Sequence, residues 1–250
     1  MPILDKELRN NAETGNLERI KQLIKDGANP RSHDDEALRL SAENGHLKCV
    51  EFFIQECHAD VDAKDDEDET ALTRSSNLAC IRYLSKLGAD IHNLDDVAFV
   101  RSAASGTIEL MKYLFENNAN PHTNDDEAFM KSIRNGHLDA AKFLVEECGS
   151  CVSMHYDEAL RISAFDGDFE TVKYLVESGA NVNAMKEEAL RMSISNRYFD
   201  IAKYLIASGA DAETAGIVED LTAILNSIDK NENASDKHAI CEIFAGMLKE

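Results

Sequence analysis

The sequence predicts an all-α fold, a helical repeat solenoid of stacked helix pairs with a two-helix C-terminal cap, and three observations carry that expectation. A short phrase returns about every 30 residues. Between its copies the apolar residues fall at helical spacing rather than in strand-like alternation. Only 3 prolines and no tryptophan occur in 250 residues, so long stretches run without a helix breaker.

The first helix of each unit carries the phrase. Glu36-Ala37-Leu38-Arg39-Leu40-Ser41-Ala42 returns as Glu158-Ala159-Leu160-Arg161-Ile162-Ser163-Ala164 and as Glu188-Ala189-Leu190-Arg191-Met192-Ser193-Ile194, with looser copies from Val97 and Glu127. A tight turn follows at Asn44-Gly45-His46-Leu47, Ser105-Gly106-Thr107-Ile108, Asn135-Gly136-His137-Leu138 and Asp166-Gly167-Asp168-Phe169, where glycine accepts positive φ without steric cost. The second helix is an apolar stripe such as Leu47, Val50, Phe53 and Ile54. A Gly-Ala-Asn or Gly-Ala-Asp loop closes the unit, as at Gly27, Gly88, Gly179 and Gly209, with glycine as the C-cap and a polar turn behind it. One such pair cannot bury its own apolar face, so the pairs must stack.

These phrases divide residues 1–216 into seven units and leave 217–250 as a terminal pair. Ile217, Leu221, Ile224, Leu225 and Ile228 make one stripe; after polar Asp229 to Ser235, Ile240, Ile243, Phe244, Met247 and Leu248 make another, with Ser235 as its N-cap. Two helices there are expected to cover the open end of the array.

The three phrases together resemble the ankyrin repeat. The resemblance implies a protein-interaction scaffold. It also places the residue after Arg39 and its equivalents, variable in that family, toward a concave groove: Leu40, Arg74, Arg101, Lys131, Ile162 and Met192 in successive units. Asn183 matches a loop position that asparaginyl hydroxylases modify in ankyrin proteins, which makes it a candidate modification site. Two departures from the family stand out. The run from Ala184 to Leu190 is shorter than usual, so the projecting finger is truncated in most units and keeps full length only between Ala63 and Leu72. In that same unit Ser75-Ser76-Asn77-Leu78 is also short, so its first helix is clipped.

Charge narrows the partners. With 26 basic against 47 acidic residues the net charge is −21, which repels nucleic acid and anionic membrane alike. Two opposite protein partners stay open: an acidic segment with apolar ends on the basic ladder Arg74, Arg101 and Lys131, or a basic segment on the acidic finger Asp65, Asp66, Glu67, Asp68 and Glu69. Reversing the ladder to Glu is expected to leave the melting temperature almost unchanged. The clusters Asp34-Asp35-Glu36, Asp125-Asp126-Glu127, Asp157-Glu158 and Glu187-Glu188 open first helices, where carboxylates are expected to cap amides. Glu three residues before Arg39, Arg161 and Arg191 predicts intrahelical ion pairs.

Enzyme chemistry is not expected. No dinucleotide, P-loop, nucleophile-elbow or zincin signature occurs, and Cys148-Gly149-Ser150-Cys151 has no second cysteine pair to complete a zinc site. Neither cofactor nor metal is therefore anticipated. Six sparse cysteines read as reduced thiols, and Met1 to Lys6 has no signal-peptide character. The expectation is a monomeric protein of the cytoplasm, of its own cell or of a host. An alternative is an adaptor that recruits a ligase or other effector through the C-terminal helices, possible in a host-directed effector.

Overall fold

The computed structural model describes residues 2–213, 216–227 and 234–247, and every regular element among them is a helix. The chain divides into two compact units, residues 1–128 and 129–250. In the first, α1 (Pro2–Thr14) pairs with α2 (Leu17–Lys25), α3 (Ser32–Glu43) with α4 (Leu47–Gln55), α5 (Ala71–Arg74) with α6 (Leu78–Lys86), and α7 (Asn93–Ala104) with α8 (Ile108–Glu116). First helices stack on first helices, α1 on α3, α3 on α5 and α5 on α7. Leu8, Leu38, Leu72 and Phe99 occupy the same phrase position in these helices and are all fully buried, so the repeat of the sequence is the repeat of the core.

The unit boundary falls within α9 (Thr123–Arg134). Beyond it come α10 (Leu138–Glu146), α11 (Met154–Asp166), α12 (Phe169–Glu177), α13 (Ala184–Ser195), α14 (Phe199–Ala207), α15 (Ile217–Ser227) and α16 (Ala234–Met247). Here α11 packs on α13 and α12 on α14; α15 then packs on α13 and α16 on α14. The last pair thus takes the stacking places of one more repeat, and Ile217, Leu221, Ile240 and Ile243 are buried there. Ser235 lies inside α16 rather than before it, which corrects its expected role as N-cap. Ile228, Leu248 and residues 229–233 lie outside the described residues, as do the side chains of Ile224, Leu225 and Met247.

The truncated finger has a specific geometry. Three consecutive residues at positive φ open α3 (His33, Asp34, Asp35), α7 (Leu94, Asp95, Asp96), α9 (Asn124, Asp125, Asp126) and α13 (Met185, Lys186, Glu187). Each is one left-handed turn. Such a turn costs about 1–2 kcal/mol per residue for L-amino acids, less where Asp or Asn accepts the left-handed well. It reverses the chain in fewer residues than a hairpin, and its cost is offset by what its last residue does.

That residue is a buried carboxylate: Asp35, Asp96, Asp126 and Glu187 here, and Asp157 in α11. Asp60 N–H donates to Asp35 Oδ2 at 3.1 Å, and Asn181 N–H to Asp157 Oδ1 at 2.8 Å. Asp5 in α1 receives Asn29 N–H in the same way at 2.7 Å. Each bond ties the start of a repeat to its own closing loop. A cation or imidazole four residues earlier steadies the carboxylate, as in Arg31 to Asp35 at 3.0 Å, His92 to Asp96 at 2.7 Å and His122 to Asp126 at 2.5 Å. The acidic clusters were expected to cap helix amides; Asp35 and Asp157 instead accept closing-loop amides, because the left-handed turn aims this carboxylate inward. Glu187, one methylene longer, leaves its Oε2 buried without a hydrogen bond, and Asn183 Oδ1 accepts Asp211 N–H in its place.

The closing loops explain their own sequence. Asn29, Asp60, Asp90, Asn120, Asn181 and Asp211 each accept the N–H two residues on, at 2.9–3.1 Å, forming Asx turns. In the clipped unit α5 has only 4 residues, begun by a Thr70–Thr73 capping box, and Asn77 accepts the amides of Ala79 and Cys80 to start α6.

Two single substitutions separate the strain from the anchor. Asp35→Ala removes the buried acceptor and is expected to lower stability by about 1–3 kcal/mol. Asp34→Gly, at an exposed residue with φ 53°, is expected to raise it by up to about 1 kcal/mol by relieving the left-handed cost. Urea unfolding followed by circular dichroism reads both; a neutral Asp35→Ala would remove the anchoring role.

Candidate interaction surface

Leu40, Arg74 and Arg101 stand two residues after the buried anchors Leu38, Leu72 and Phe99 in three helices that stack on one another, α3, α5 and α7. In the other unit Lys131, Ile162 and Met192 stand two residues after buried Phe129, Leu160 and Leu190. The register predicted from the repeat is therefore common to all six first helices. Leu40, Arg74, Lys131, Ile162 and Met192 are half-buried and Arg101 is exposed.

The finger folds onto basic residues of its own repeat and of the repeats on either side. Asp65 N–H donates to Glu69 O at 3.1 Å and Asp68 N–H to Asp65 O at 3.0 Å, while Asp65 Oδ1 accepts the amides of Glu67 and Glu69. This tight turn leaves Asp66, Glu67 and Asp68 exposed and turns Asp65 and Glu69 back toward the helices. Arg74 Nη1 lies 3.2 Å from Asp65 Oδ2, and its Nε 3.5 Å from Glu69 Oε2 and 3.4 Å from Glu43 Oε2. Arg101 donates to Glu69 and, at 2.7 Å, to the carbonyl of Thr73. Arg39 Nε lies 3.8 Å from Asp65 Oδ2.

Three guanidiniums and three carboxylates thus form one balanced network. Arg74 and Arg101 of the basic ladder and Asp65 and Glu69 of the acidic finger, offered by the sequence as parts of rival binding sites, are each other's partners. Their distance in sequence hid this: Arg101 and Glu69 are 32 residues apart. Glu43 and the carbonyl of Thr73, which complete the network, carried no signal in the repeat pattern.

The arginines of the phrase also differ from expectation. Arg161 pairs with Glu188 of the next repeat at 2.7 Å rather than with Glu158 of its own helix, and Arg9, which has no Glu three residues before it, reaches Glu36 of the next repeat at 2.5 Å in the same way. Arg39 donates to the carbonyls of His33 and Asp34, capping the left-handed turn from within. Stacking of α1 on α3 and of α11 on α13 brings these side chains of adjacent repeats within ion-pair reach. Asn183 is exposed, with its amide oxygen engaged by Asp211 N–H at 3.1 Å.

Among the described residues no group of three or more His, Cys, Asp or Glu could hold a metal ion, and no helix is long and apolar enough to cross a membrane. All six cysteines are free thiols. Burial pushes Cys80 up to about 11, helped by Glu51 and Cys49, and Cys57 up to about 11, helped by Glu56 and Asp35. Burial also raises Cys49 against the opposing pull of Lys21. Cys151 and Cys241 are exposed.

Family models described as ankyrin repeats match residues 8–95 and 152–215 in one case and 97–145 in another. Among solved structures the chain is similar to the human ASB11 ankyrin repeat domain, with 22% identity, a TM-score of 0.66, and coverage of 82% of this chain and 98% of that one. No curated protein sequence matches the chain.

The balanced network changes the outcome expected for the ladder. Reversing Arg74 and Arg101 to Glu strands Glu69, whose residue is only 9% exposed, beside new negative charge and is expected to cost about 1–3 kcal/mol of stability. A melting temperature equal to that of the unaltered protein would contradict the network. For the thiols, a chromogenic disulfide at pH 8 should modify Cys151 and Cys241 first, with Cys49 and Cys80 reacting only on unfolding, because thiolate is the reactive form and burial suppresses it. Mass mapping of the early product checks this.

Proposed function

We propose that this chain, which belongs to the ankyrin repeat family, is a non-enzymatic scaffold that binds a partner protein through one register position of its first helices and through the finger of its third repeat. Ankyrin repeats are in general protein–protein interaction modules. The observation that carries the reading is the contrast between a fixed frame and a varied register. Leu38, Leu72 and Phe99, and separately Phe129, Leu160 and Leu190, are buried anchors of one kind. Two residues on, the side chains change chemistry from repeat to repeat while remaining at the surface. Half-buried Leu40, Ile162 and Met192 add apolar area that a solubilising face would not need.

The network supports a basic partner segment over an acidic one. Arg74 and Arg101 already hold Asp65 and Glu69, so an acidic ligand would have to displace the finger, whereas Asp66, Glu67 and Asp68 are exposed. A net charge of −21 favours the same sign of partner and disfavours nucleic acid and anionic membrane. The protein acts as a monomer in the cytoplasm in this reading. Recruitment of a ligase by α15 and α16 has less support, because their apolar stripes, including Ile217 and Ile240, are turned into the array.

The test begins with a partner captured by the full chain and confirmed with purified components. Asp66→Asn, Glu67→Gln and Asp68→Asn together are expected to weaken it at least about tenfold, mainly at low salt, with an unchanged melting temperature. Equal affinity at all salt concentrations would remove the finger from the site. Ile162→Asp with Met192→Asp then tests the register position, and unaltered binding in that variant as well would overturn the reading.

A further inference from the structure

The turns between first and second helices follow one plan and depart from it in one place. The slot before the Asn-Gly or its equivalent holds Glu13, Glu43, Ala104, Arg134 and Ser195 in other repeats, but Phe165 in the sixth. The glycine slot holds Gly15, Gly45, Gly106, Gly136 and Gly167, but Arg197 in the seventh. The slot after it holds Asn16, His46, Thr107, His137 and Asp168, but Tyr198 in the seventh. All three departures lie together in the C-terminal unit.

The fold gains little from them. Arg197 keeps the glycine conformation, with φ 63°, at a cost of about 1 kcal/mol for a residue with a Cβ. Phe165 is 54% exposed and Tyr198 39%. Asn196 Nδ2 donates to Phe165 O at 3.1 Å, joining the two turns, and the Tyr198 ring lies against Gly167 so closely that a Cβ there would fall 2.5 Å from it. Gly167, Phe169, Tyr198 and Arg197 line a cavity of about 610 Å³. Asp200 also lines it, but is paired with Lys203 at 2.9 Å.

Arg197 is the polar feature of this patch. Its guanidinium makes no hydrogen bond among the described residues; its one ion pair, to Asp236, is 3.9 Å long, beyond hydrogen-bond reach. A planar fork of N–H donors held only by one long ion pair, beside the exposed Tyr198 ring, suits a carboxylate flanked by an apolar group.

We propose that this patch docks a short protein segment in which an aromatic side chain stands next to a carboxylate. The aromatic ring enters the cavity beside Phe169 and Tyr198, and the carboxylate takes two N–H donors of Arg197; Phe165 is exposed on the neighbouring turn, joined to this one through Asn196. The proposal rests on the reading of the chain as an interaction scaffold but uses neither the register positions nor the finger, so it adds a second and chemically opposite surface.

The probe is the peptide Gly-Ser-Gly-Phe-Glu-Gly-Ser-Gly, titrated into the ¹⁵N-labelled full chain, with a control in which Lys replaces Glu. Saturable shifts of the Gly167, Arg197 and Tyr198 amides are expected, with the control at least about tenfold weaker. Arg197→Gly restores the residue of the other repeats and is expected to weaken the first peptide about tenfold while the melting temperature holds or rises. Phe165→Ser with Tyr198→His, again residues that other repeats use, should remove the rest of the binding. Absence of saturable shifts at these amides, equal binding of the Lys peptide, or full binding by Arg197→Gly would each overturn the proposal. Loss of partner binding on neutralising Asp66 to Asp68 is independent of all three results, so the two surfaces fail separately.

Discussion

Within a repeat, the bond from a buried carboxylate to the closing-loop amide is the constraint on which the frame depends. A full-length finger spaces successive helix pairs with its own hairpin; five repeats of this chain lack the residues for one. The chain must still reverse direction and still satisfy the amides it exposes in turning. A left-handed turn solves the first problem in three residues, and in the second and sixth repeats the carboxylates Asp35 and Asp157 solve the other. Asp is the short acid that fits: Asp35 and Asp157 reach the loop amide, while the longer Glu187 does not and leaves an oxygen unmatched. Strain and anchor are therefore one device, in which local backbone cost is tolerated because it positions a charge-assisted hydrogen bond.

The same shortening isolates the one full finger and gives it a distinct role. Where the second and sixth repeats turn Asp35 and Asp157 inward to a loop, the third repeat projects Asp65 and Glu69 onto Arg74 and Arg101. Its clipped first helix needs such support, since α5 has a single turn of helix to hold it. In the proposed function, what remains for a partner is the tip of the finger and the partly apolar register of the first helices. In the other unit, the turns of the sixth and seventh repeats carry exposed aromatic rings and a guanidinium held only by a long ion pair to Asp236. The two proposed surfaces have opposite preference, which an acidic protein can accommodate because a ligand meets local charges and not the net charge.

The repeat phrases, read alone, determined the all-α class, the order of the helix pairs, the short α5 and the register of Leu40, Arg74, Arg101, Lys131, Ile162 and Met192. These follow from periodicity and from glycine and Asx chemistry, which act over a few residues and leave a local trace. Phe165, Arg197 and Tyr198 also left a trace, as departures from Asn-Gly-His-Leu, but their meaning depended on lying together. Tertiary structure alone decided the partners of charge. Arg161 could have met Glu158 in its own helix or Glu188 in the next, and stacking chose Glu188. Arg74 and Arg101 looked like a free basic ladder until the finger closed on them. Charge pairing is set by distances across the stack, which a one-dimensional pattern does not contain, whereas helix and core positions are set by spacing along the chain, which it does.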